Sequence, residues 1–194
     1  RAAGYTNGDL ENVRVLVVDD NEFNRDILIE LLSHKKCIAE SAASGEEAIS
    51  LLGRQVYDVI IMDILMPGMN GFETTESIKK RNGYADLPVI GLSANDSASE
   101  KKQAKAAGMN DYLVKPVVPG RLYETIRQAI HNHNTGNLVR QAIHNHNTGN
   151  LAGRQPVLET GAALHHFNGS EEMYHRAINR FIKNYKSVPE DLKA

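Results

Sequence analysis

One short run restricts the possible folds of this chain more than any other. Residues 58–63 read DVIIMD, and residues 64–71, which follow, read ILMPGMNG. A continuous apolar run bounded by turn residues is typical of a strand that is buried on both faces of a parallel sheet. In an open α/β sheet the ligand crevice lies at the carboxyl ends of the strands. Asp63, at the end of this predicted strand, is therefore a candidate functional residue, with a turn-capping Asp as the alternative.

Polar residues also follow three other predicted strands, at residues 13–18, 89–92 and 111–114. The residues directly after these strands are Asp19 and Asp20, Ser93 and Ala94, and Lys115. Because parallel strands end at one edge of a sheet, one crevice receives three acids, a hydroxyl and an ammonium. Clustered carboxylates raise one another's pKa, so they need a cation, and hard oxygen ligands favour Mg²⁺ over zinc. The pattern predicts a site for a divalent metal and a phosphoryl group. Taken alone, Ser93 could instead cap a helix, and Lys115 could be a solvated charge.

Residues about 10–131 resemble the receiver domain of two-component response regulators. The matching residues, in the family's order and spacing, are Asp19 and Asp20, Asp63 within DILMPGMNG, Ser93 and Ala94, Tyr112, and Lys115 with Pro116. Residues 19–25, DDNEFNR, are also similar to receivers attached to hybrid sensor histidine kinases. The resemblance implies an α/β fold: a doubly wound, flavodoxin-like (βα)5 domain with a five-stranded parallel sheet of order 2-1-3-4-5.

The resemblance also implies a role for each site residue. Asp63 would be the nucleophile that attacks a phosphohistidine and becomes an aspartyl phosphate. Asp20, Asp63 and the backbone carbonyl of Leu65 would bind Mg²⁺, with Asp19 acting through water.

The phosphoryl group has its own set of expected contacts. Lys115 would pair with Asp63 and then with a phosphoryl oxygen, while the Ser93 hydroxyl and the Ala94 amide would bind other oxygens. Ser93 and Tyr112 would form the conformational switch, although a half-buried strand Tyr gives the same sequence pattern. Asn70 and Ser93 stand where many family members have Asp and Thr.

Apolar residues at helical spacing alternate with the strands and predict a right-handed α/β arrangement. A weak second strand is expected at residues 37–39. Asn21 is expected to cap the first helix, and Ser44 with Glu47 to form a capping box on the second. In helix one the apolar positions that recur at helical spacing are Phe23, Ile27, Leu28, Leu31 and Leu32. The expected buried side of helix two is Ala48, Ile49, Leu51 and Leu52, the expected anchors of helix three are Phe72 and Ile78, and one face of helix five carries Leu122, Ile126 and Ile130. A helix at about 97–107 has few large apolar residues, so light attachment is expected.

Composition excludes several classes of protein. The formal net charge is −2, from 22 basic and 24 acidic residues, which gives no basic footprint for nucleic acid. The single cysteine, Cys37, excludes an internal disulfide. No stretch approaches the roughly 20 apolar residues of a membrane helix, and no signal peptide is visible. We expect a cytoplasmic chain without membrane contact, whose parent protein could be anchored in the inner membrane.

The sequence RQAIHNHNTGNL occurs twice, at 127–138 and 140–151. The two copies are identical at all twelve positions, which is not expected of a diverged structural repeat. A tandem duplication, natural or artefactual, is the simplest explanation. The repeated His-x-His invites a metal hypothesis, but positions i and i+2 do not face each other on a helix. A polar linker is favoured, with the copied RQAI able to extend helix five and HNHNTGN expected to break it. The predicted organisation is an N-terminal linker at 1–9, a receiver domain at 10–131 and a linker at 132–155.

Residues 156–194 again carry apolar residues at near-helical spacing, which predicts two amphipathic helices. They resemble the first part of a histidine-containing phosphotransfer (Hpt) domain, but the phosphoryl-carrying His followed by Lys-Gly is missing. We therefore predict that His165, His166 and His175 carry no phosphoryl group. Two amphipathic helices cannot bury a stable core unaided, so we expect this segment to self-associate or to pack on a neighbour.

Three classes of function compete. The leading one is a phosphoacceptor module of a phosphorelay within a hybrid histidine kinase, with a histidine kinase domain or other phosphohistidine as donor and an Hpt domain as an acceptor. Such a chain accepts a phosphoryl group and can have autophosphatase activity, while its parent would be a transferase. A haloacid-dehalogenase-type phosphatase is set aside because it needs a second acid where Leu65 stands. The alternative is a receiver-like interaction module that is not phosphorylated, whose usual mark is loss of an acid or of Lys115.

Overall fold

The computed structural model describes the backbone of residues 10–147 and the side chains of residues 10–136. Strands and helices alternate along the chain. They are β1 (Arg14–Val18), α1 (Glu22–Ser33), β2 (Ile38–Ala42), α2 (Gly45–Leu52), β3 (Val59–Asp63), α3 (Gly71–Lys79), β4 (Val89–Ser93), α4 (Ala98–Ala106), β5 (Asp111–Val114) and α5 (Pro119–Asn147). The five strands form one parallel sheet of order β2-β1-β3-β4-β5. The predicted fold class and strand order are confirmed.

Alternate residues of the buried strands pack into two cores, one on each face of the sheet. Val15 and Val17 of β1 belong to the core that α1 and α5 cover, whereas Leu16 and Val18 belong to the core that α2, α3 and α4 cover. Because successive side chains of a strand point to opposite faces, a strand with helices on both sides must be apolar throughout. This explains the continuous runs in β1 and β3.

The first helix begins as predicted, but not all of its regularly spaced apolar residues are buried. The Asn21 side chain accepts hydrogen bonds from the backbone N–H groups of Phe23 and Asn24 and so caps α1. Leu28 and Leu32 are buried, but Phe23 is 71% exposed and Ile27 is 41% exposed. Of the five apolar residues at helical spacing, Phe23 and Ile27 therefore lie outside the core. Phe23 lies in the first turn of α1, which begins just after the carboxyl end of β1.

Helices α2 and α3 both begin with a polar cap residue, but the glutamate three positions later accepts a hydrogen bond from a different backbone N–H in each helix. Ser44 accepts from the Glu47 N–H, but the Glu47 carboxylate accepts from the N–H of Ala43. The reciprocal bond of a capping box, predicted for α2, is instead present in α3 between Asn70 and Glu73. Strand β2 also begins one residue later and ends three residues later than predicted, because it pairs with β1 along the whole length of that strand.

The last helix is longer than the sequence predicted. Leu122, Ile126 and Ile130 are buried as expected, but α5 continues through the first HNHNTGN to Asn147. The prediction that this stretch breaks the helix is wrong, because Asn, His and Thr each cost only a fraction of a kcal/mol in a helix and a single Gly about 1 kcal/mol. The first part of the predicted linker is therefore helical.

The predicted N-terminal linker at 1–9, the remainder of the 132–155 linker and the Hpt-like segment at 156–194 lie outside the described residues. Among residues 10–147, the helices are too polar or too short to cross a membrane.

Candidate functional site

Three carboxylates meet at the carboxyl edge of the sheet. Asp63 is the last residue of β3, and Asp19 and Asp20 directly follow β1, the neighbouring strand. One oxygen from each carboxylate lies within 4.8 Å of the other two. Asp19 is fully buried, Asp63 is 5% exposed and Asp20 is exposed. The group therefore has two fixed, buried acids and one acid open to solvent, an arrangement of oxygen ligands that could hold a divalent cation.

An ammonium group compensates part of this negative charge. The Nζ atom of Lys115 lies 2.8 Å from Asp19 Oδ2 and 2.9 Å from Asp63 Oδ2. Lys115 follows β5, the edge strand, while Asp63 belongs to β3, so the long lysine side chain crosses the end of β4 to reach the acids. One ammonium against three carboxylates leaves the site with a deficit of positive charge.

Burial and neighbouring charge shift the pKa values of two of these groups. Burial raises the pKa of Asp63, and the charge of Asp19 adds to that rise, while the Lys115 ammonium opposes it. Burial of Lys115 works to lower its pKa, but its hydrogen bonds to Asp19 and Asp63 outweigh this effect, so its pKa is raised. Lys115 is thus held as a cation, and Asp63 is an acid whose charge is only partly balanced.

The first turns of α1 fix the orientation of the Asp19 side chain. The Asn24 amide nitrogen lies 3.1 Å and 3.2 Å from the two carboxylate oxygens, and the Asn21 N–H donates to Oδ1 at 2.9 Å. The Arg25 guanidinium donates to the backbone carbonyls of Asp19 at 2.8 Å and Asp20 at 3.1 Å. In the sequence, residues 19–25 stand out only for their resemblance to other receivers, which predicts no role for Asn24 or Arg25.

The loop after Asp63 passes very close to the start of α3. A Cβ atom on Gly71 would lie 2.2 Å from the Asp63 carbonyl oxygen and 2.8 Å from Ile64 Cα, so only glycine fits there. Inside this loop the Leu65 N–H approaches Asp63 Oδ1 at 3.4 Å, and the Leu65 side chain is 62% exposed. The backbone N–H of Leu65 therefore lies next to the Asp63 carboxylate, while the predicted metal contact of the Leu65 carbonyl stays a prediction.

Ser93 ends β4, but its hydroxyl is engaged by the segment that follows. The hydroxyl is hydrogen-bonded to the Glu100 carboxylate of α4 and lies 2.6 Å from the Asn95 carbonyl oxygen. It also accepts from the Asn95 N–H at 3.0 Å. Ala94 is exposed directly after it. Ser93 therefore lies at the predicted edge of the sheet, but its hydroxyl is hydrogen-bonded to Glu100 of α4.

Tyr112 of β5 is held by the same segment. Its hydroxyl donates a hydrogen bond to the Asp96 carboxylate, and the Lys101 ammonium of α4 lies 5.3 Å from the centre of the ring. Lys101 also pairs with Asp96 at 2.6 Å. Glu100 and Lys101, which contact the two predicted switch residues, were not identified from the sequence. The only available signal was the Ser-x-x-Glu spacing of Ser97 and Glu100, which predicts a capping box.

Comparisons with known proteins agree with this architecture. Residues 15–127 match the family model of the response regulator receiver domain. The chain is 35% identical over 119 residues to an uncharacterized 14.6 kDa protein of Leptolyngbya boryana, covering 61% of this chain and 91% of that protein. It is 37% identical over 122 residues to the heme response regulator HssR of Staphylococcus aureus, covering 63% of this chain and 53% of that protein. The chain thus spans about half the length of HssR.

Solved structures give the same result. The chemotaxis protein CheY4 of Vibrio cholerae matches with a TM-score of 0.59 at 33% identity, over 61% of this chain and 98% of that one. The receiver domain of the sensor histidine kinase PA1611 of Pseudomonas aeruginosa, with a magnesium ion coordinated in its active-site cleft, matches with a TM-score of 0.58 at 30% identity, over 61% and 98%. The family model covers more than half of the chain, and the sheet order and the acidic edge agree with it. This chain belongs to the response regulator receiver domain family of two-component systems.

Proposed function

We propose that this chain is a phosphoacceptor that takes a phosphoryl group from a phosphohistidine onto Asp63. The observation that carries the proposal is the position of Asp63: a nearly buried carboxylate at a strand end, 2.9 Å from the Lys115 ammonium and grouped with two other acids. A structural ion pair would need one acid for one ammonium. The excess of carboxylates is better explained by a site that binds a metal and a phosphoryl group.

The transfer itself demands little covalent chemistry from the protein. An oxygen of the Asp63 carboxylate attacks the phosphorus, the phosphorus–nitrogen bond of the donor breaks, and the imidazole leaves with the electron pair and takes up a proton from solvent. The product is an acyl phosphate on Asp63. Phosphoryl transfer depends mainly on positioning and charge stabilisation, so the neighbouring groups determine the rate. Lys115, 2.9 Å from Asp63, would pair with a phosphoryl oxygen, and the Ser93 hydroxyl and the Ala94 amide would bind the others.

The donor set fits Mg²⁺. Carboxylates from Asp20 and Asp63 and the backbone carbonyl of Leu65 would bind the ion directly, and Asp19 would act through water. The exposure of Asp20 leaves room for the waters that Mg²⁺ retains. When bound, the ion neutralises charge that develops on the transferred phosphoryl group. The receiver domain of PA1611, with magnesium in its cleft, supports this assignment.

An apolar rim next to the acids supports a macromolecular donor. Phe23 in the first turn of α1, Leu65 in the loop after β3 and Val118 in the loop after β5 all follow the carboxyl ends of strands, and Phe23, Leu65 and Val118 are 71%, 62% and 59% exposed. Large apolar side chains around a polar site favour contact with another protein. We assign this rim to a histidine kinase domain or another phosphohistidine donor. A hybrid histidine kinase as the parent protein, and an Hpt domain as the next acceptor, complete the proposed phosphorelay.

Asp63→Asn tests the acceptor, because it keeps the shape of the side chain and removes the nucleophile. With acetyl phosphate or a phosphorylated kinase domain and Mg²⁺, the wild-type protein is expected to gain one phosphoryl group that base and hydroxylamine remove. Asp63→Asn is expected to gain none, while Asp26→Asn, a change of an exposed acid on α1, is expected to label like the wild type. Retained labelling in Asp63→Asn contradicts the assignment. No labelling of the wild type from either donor would favour a receiver-like interaction module.

A further inference from the structure

The start of α4 departs from the usual way in which a helix satisfies its first turn. Ser97 caps α4 by accepting from the Glu100 N–H at 3.1 Å. At this spacing a glutamate commonly returns its carboxylate to the N–H of the cap residue, as Glu73 does to Asn70 in α3. The Glu100 carboxylate instead reaches the hydroxyl of Ser93, seven residues earlier and at the end of β4. The acid that could stabilise α4 locally is used for a contact with a site residue.

The Ser93 hydroxyl has a single proton to donate. Two acceptors compete for it, the Glu100 carboxylate and the Asn95 carbonyl. The carboxylate is charged, so it is the stronger acceptor. A phosphoryl oxygen on Asp63 would compete for this same proton, and Ser93 cannot donate to both at once.

We propose that Glu100 is a positioning residue that holds the Ser93 hydroxyl away from the phosphoryl group until that group displaces it. The inference rests on the proposed function, since it gives Ser93 a phosphoryl oxygen as its second partner. The contact between Glu100 and Ser93 stabilises the unphosphorylated arrangement. It therefore reduces the fraction of molecules in which the Ser93 hydroxyl is free to bind a phosphoryl oxygen, and the apparent affinity for a phosphoryl group is weaker. By linkage, a phosphoryl group that captures Ser93 releases Glu100 and so removes a contact that joins α4 to the end of β4.

A second contact from the same turn supports this role. Lys101, the residue after Glu100, pairs with Asp96 and lies over the ring of Tyr112, whose hydroxyl also contacts Asp96. Two consecutive residues of α4 thus contact the two residues predicted to switch. Little else fixes this helix, because Ala104 is the one buried residue among the nine described in α4. Loss of the Ser93 contact therefore removes a substantial part of what holds α4 in place.

The experiment measures binding of beryllofluoride, a phosphoryl mimic, in the presence of Mg²⁺ by titration calorimetry. Glu100→Ala removes the stronger of the two acceptors of the Ser93 proton and leaves only the Asn95 carbonyl. Binding is expected to tighten by about tenfold, the size of one hydrogen bond to a charged group. Glu100→Gln keeps a neutral acceptor and is expected to tighten binding by about threefold. Lys102→Gln, a change of an exposed side chain on the same helix, is the matched control and is expected to leave affinity unchanged.

A double-mutant cycle separates this role from general loosening of α4. In a Ser93→Ala background the Glu100→Ala change is expected to have no effect on affinity, because the proton that Glu100 accepts is gone. Unchanged affinity in Glu100→Ala alone, or equal tightening with and without Ser93, overturns the inference while leaving the proposed function intact. A wild-type protein that binds no beryllofluoride and takes no phosphoryl group at Asp63 overturns the proposed function, and this inference with it.

Discussion

Helices α3 and α4 have the same length and follow neighbouring strands, yet they are attached to the sheet in different ways. Each has nine residues, a polar cap residue and a glutamate three positions later. The glutamate of α3 closes its own capping box, whereas the glutamate of α4 contacts Ser93. The buried residues of α3 are Gly71, Thr74, Thr75 and Ile78, whereas the buried residue of α4 is Ala104.

This difference assigns the two helices to different tasks. The burial of one face of α3, together with the close approach of Gly71 to the Asp63 carbonyl, fixes the loop that follows Asp63. Helix α4 depends on polar contacts, which can be exchanged for others at little net cost because water or a phosphoryl oxygen can replace them. Buried contacts hold Asp63, the proposed acceptor, in place, and exchangeable contacts hold Ser93 and Tyr112, the proposed switch residues.

The largest expected difference comes from removing a buried side chain on each helix. Ile78→Ala in α3 leaves a cavity in the core and is expected to lower the free energy of unfolding by about 2–5 kcal/mol. Ala104→Gly in α4 removes one methyl group and weakens the helix, with an expected loss of about 1 kcal/mol. Urea unfolding followed by circular dichroism measures both. Equal losses in the two variants would show that α4 is anchored as firmly as α3.

A smaller difference is expected from the two helix caps. Asn70→Ala and Ser97→Ala each remove a side chain that accepts from the first turn, at a typical cost of about 1 kcal/mol. Because α3 is packed into the core, its loss is expected to appear in the free energy of global unfolding. Because α4 is lightly attached, its loss is expected to appear as faster hydrogen exchange in residues 98–106, with less change in global unfolding. Exchange that accelerates equally in both helices would contradict this distinction.

The smallest expected effect concerns Asp63, which α3 and its loop keep buried. Burial raises the pKa of this carboxyl above its ordinary value of 3.8, so the folded protein binds the proton more tightly than the unfolded chain. The wild type therefore loses stability as the pH rises from about that ordinary value through the raised value. Asp63→Asn cannot ionise and is expected to be more stable than the wild type at neutral pH, with the difference shrinking below the ordinary pKa. Thermal unfolding at neutral and acidic pH measures it, and a variant less stable than the wild type at neutral pH would contradict the direction.

The amino-acid sequence determined the fold and the acidic edge of the sheet. Continuous apolar runs in β1 and β3 required helices on both faces, and parallel strands must end at one edge. Asp19, Asp20 and Asp63 therefore had to lie close together, independently of the details of side-chain packing. Only the tertiary structure decided which distant partner each polar side chain takes. Lys115 reaches two acids, Glu100 leaves its own helix cap for Ser93, and Phe23 stays exposed despite its helical spacing. The physical reason is that periodicity encodes which face of an element is apolar, whereas a hydrogen bond depends on positions set by the packing of elements far apart in the chain.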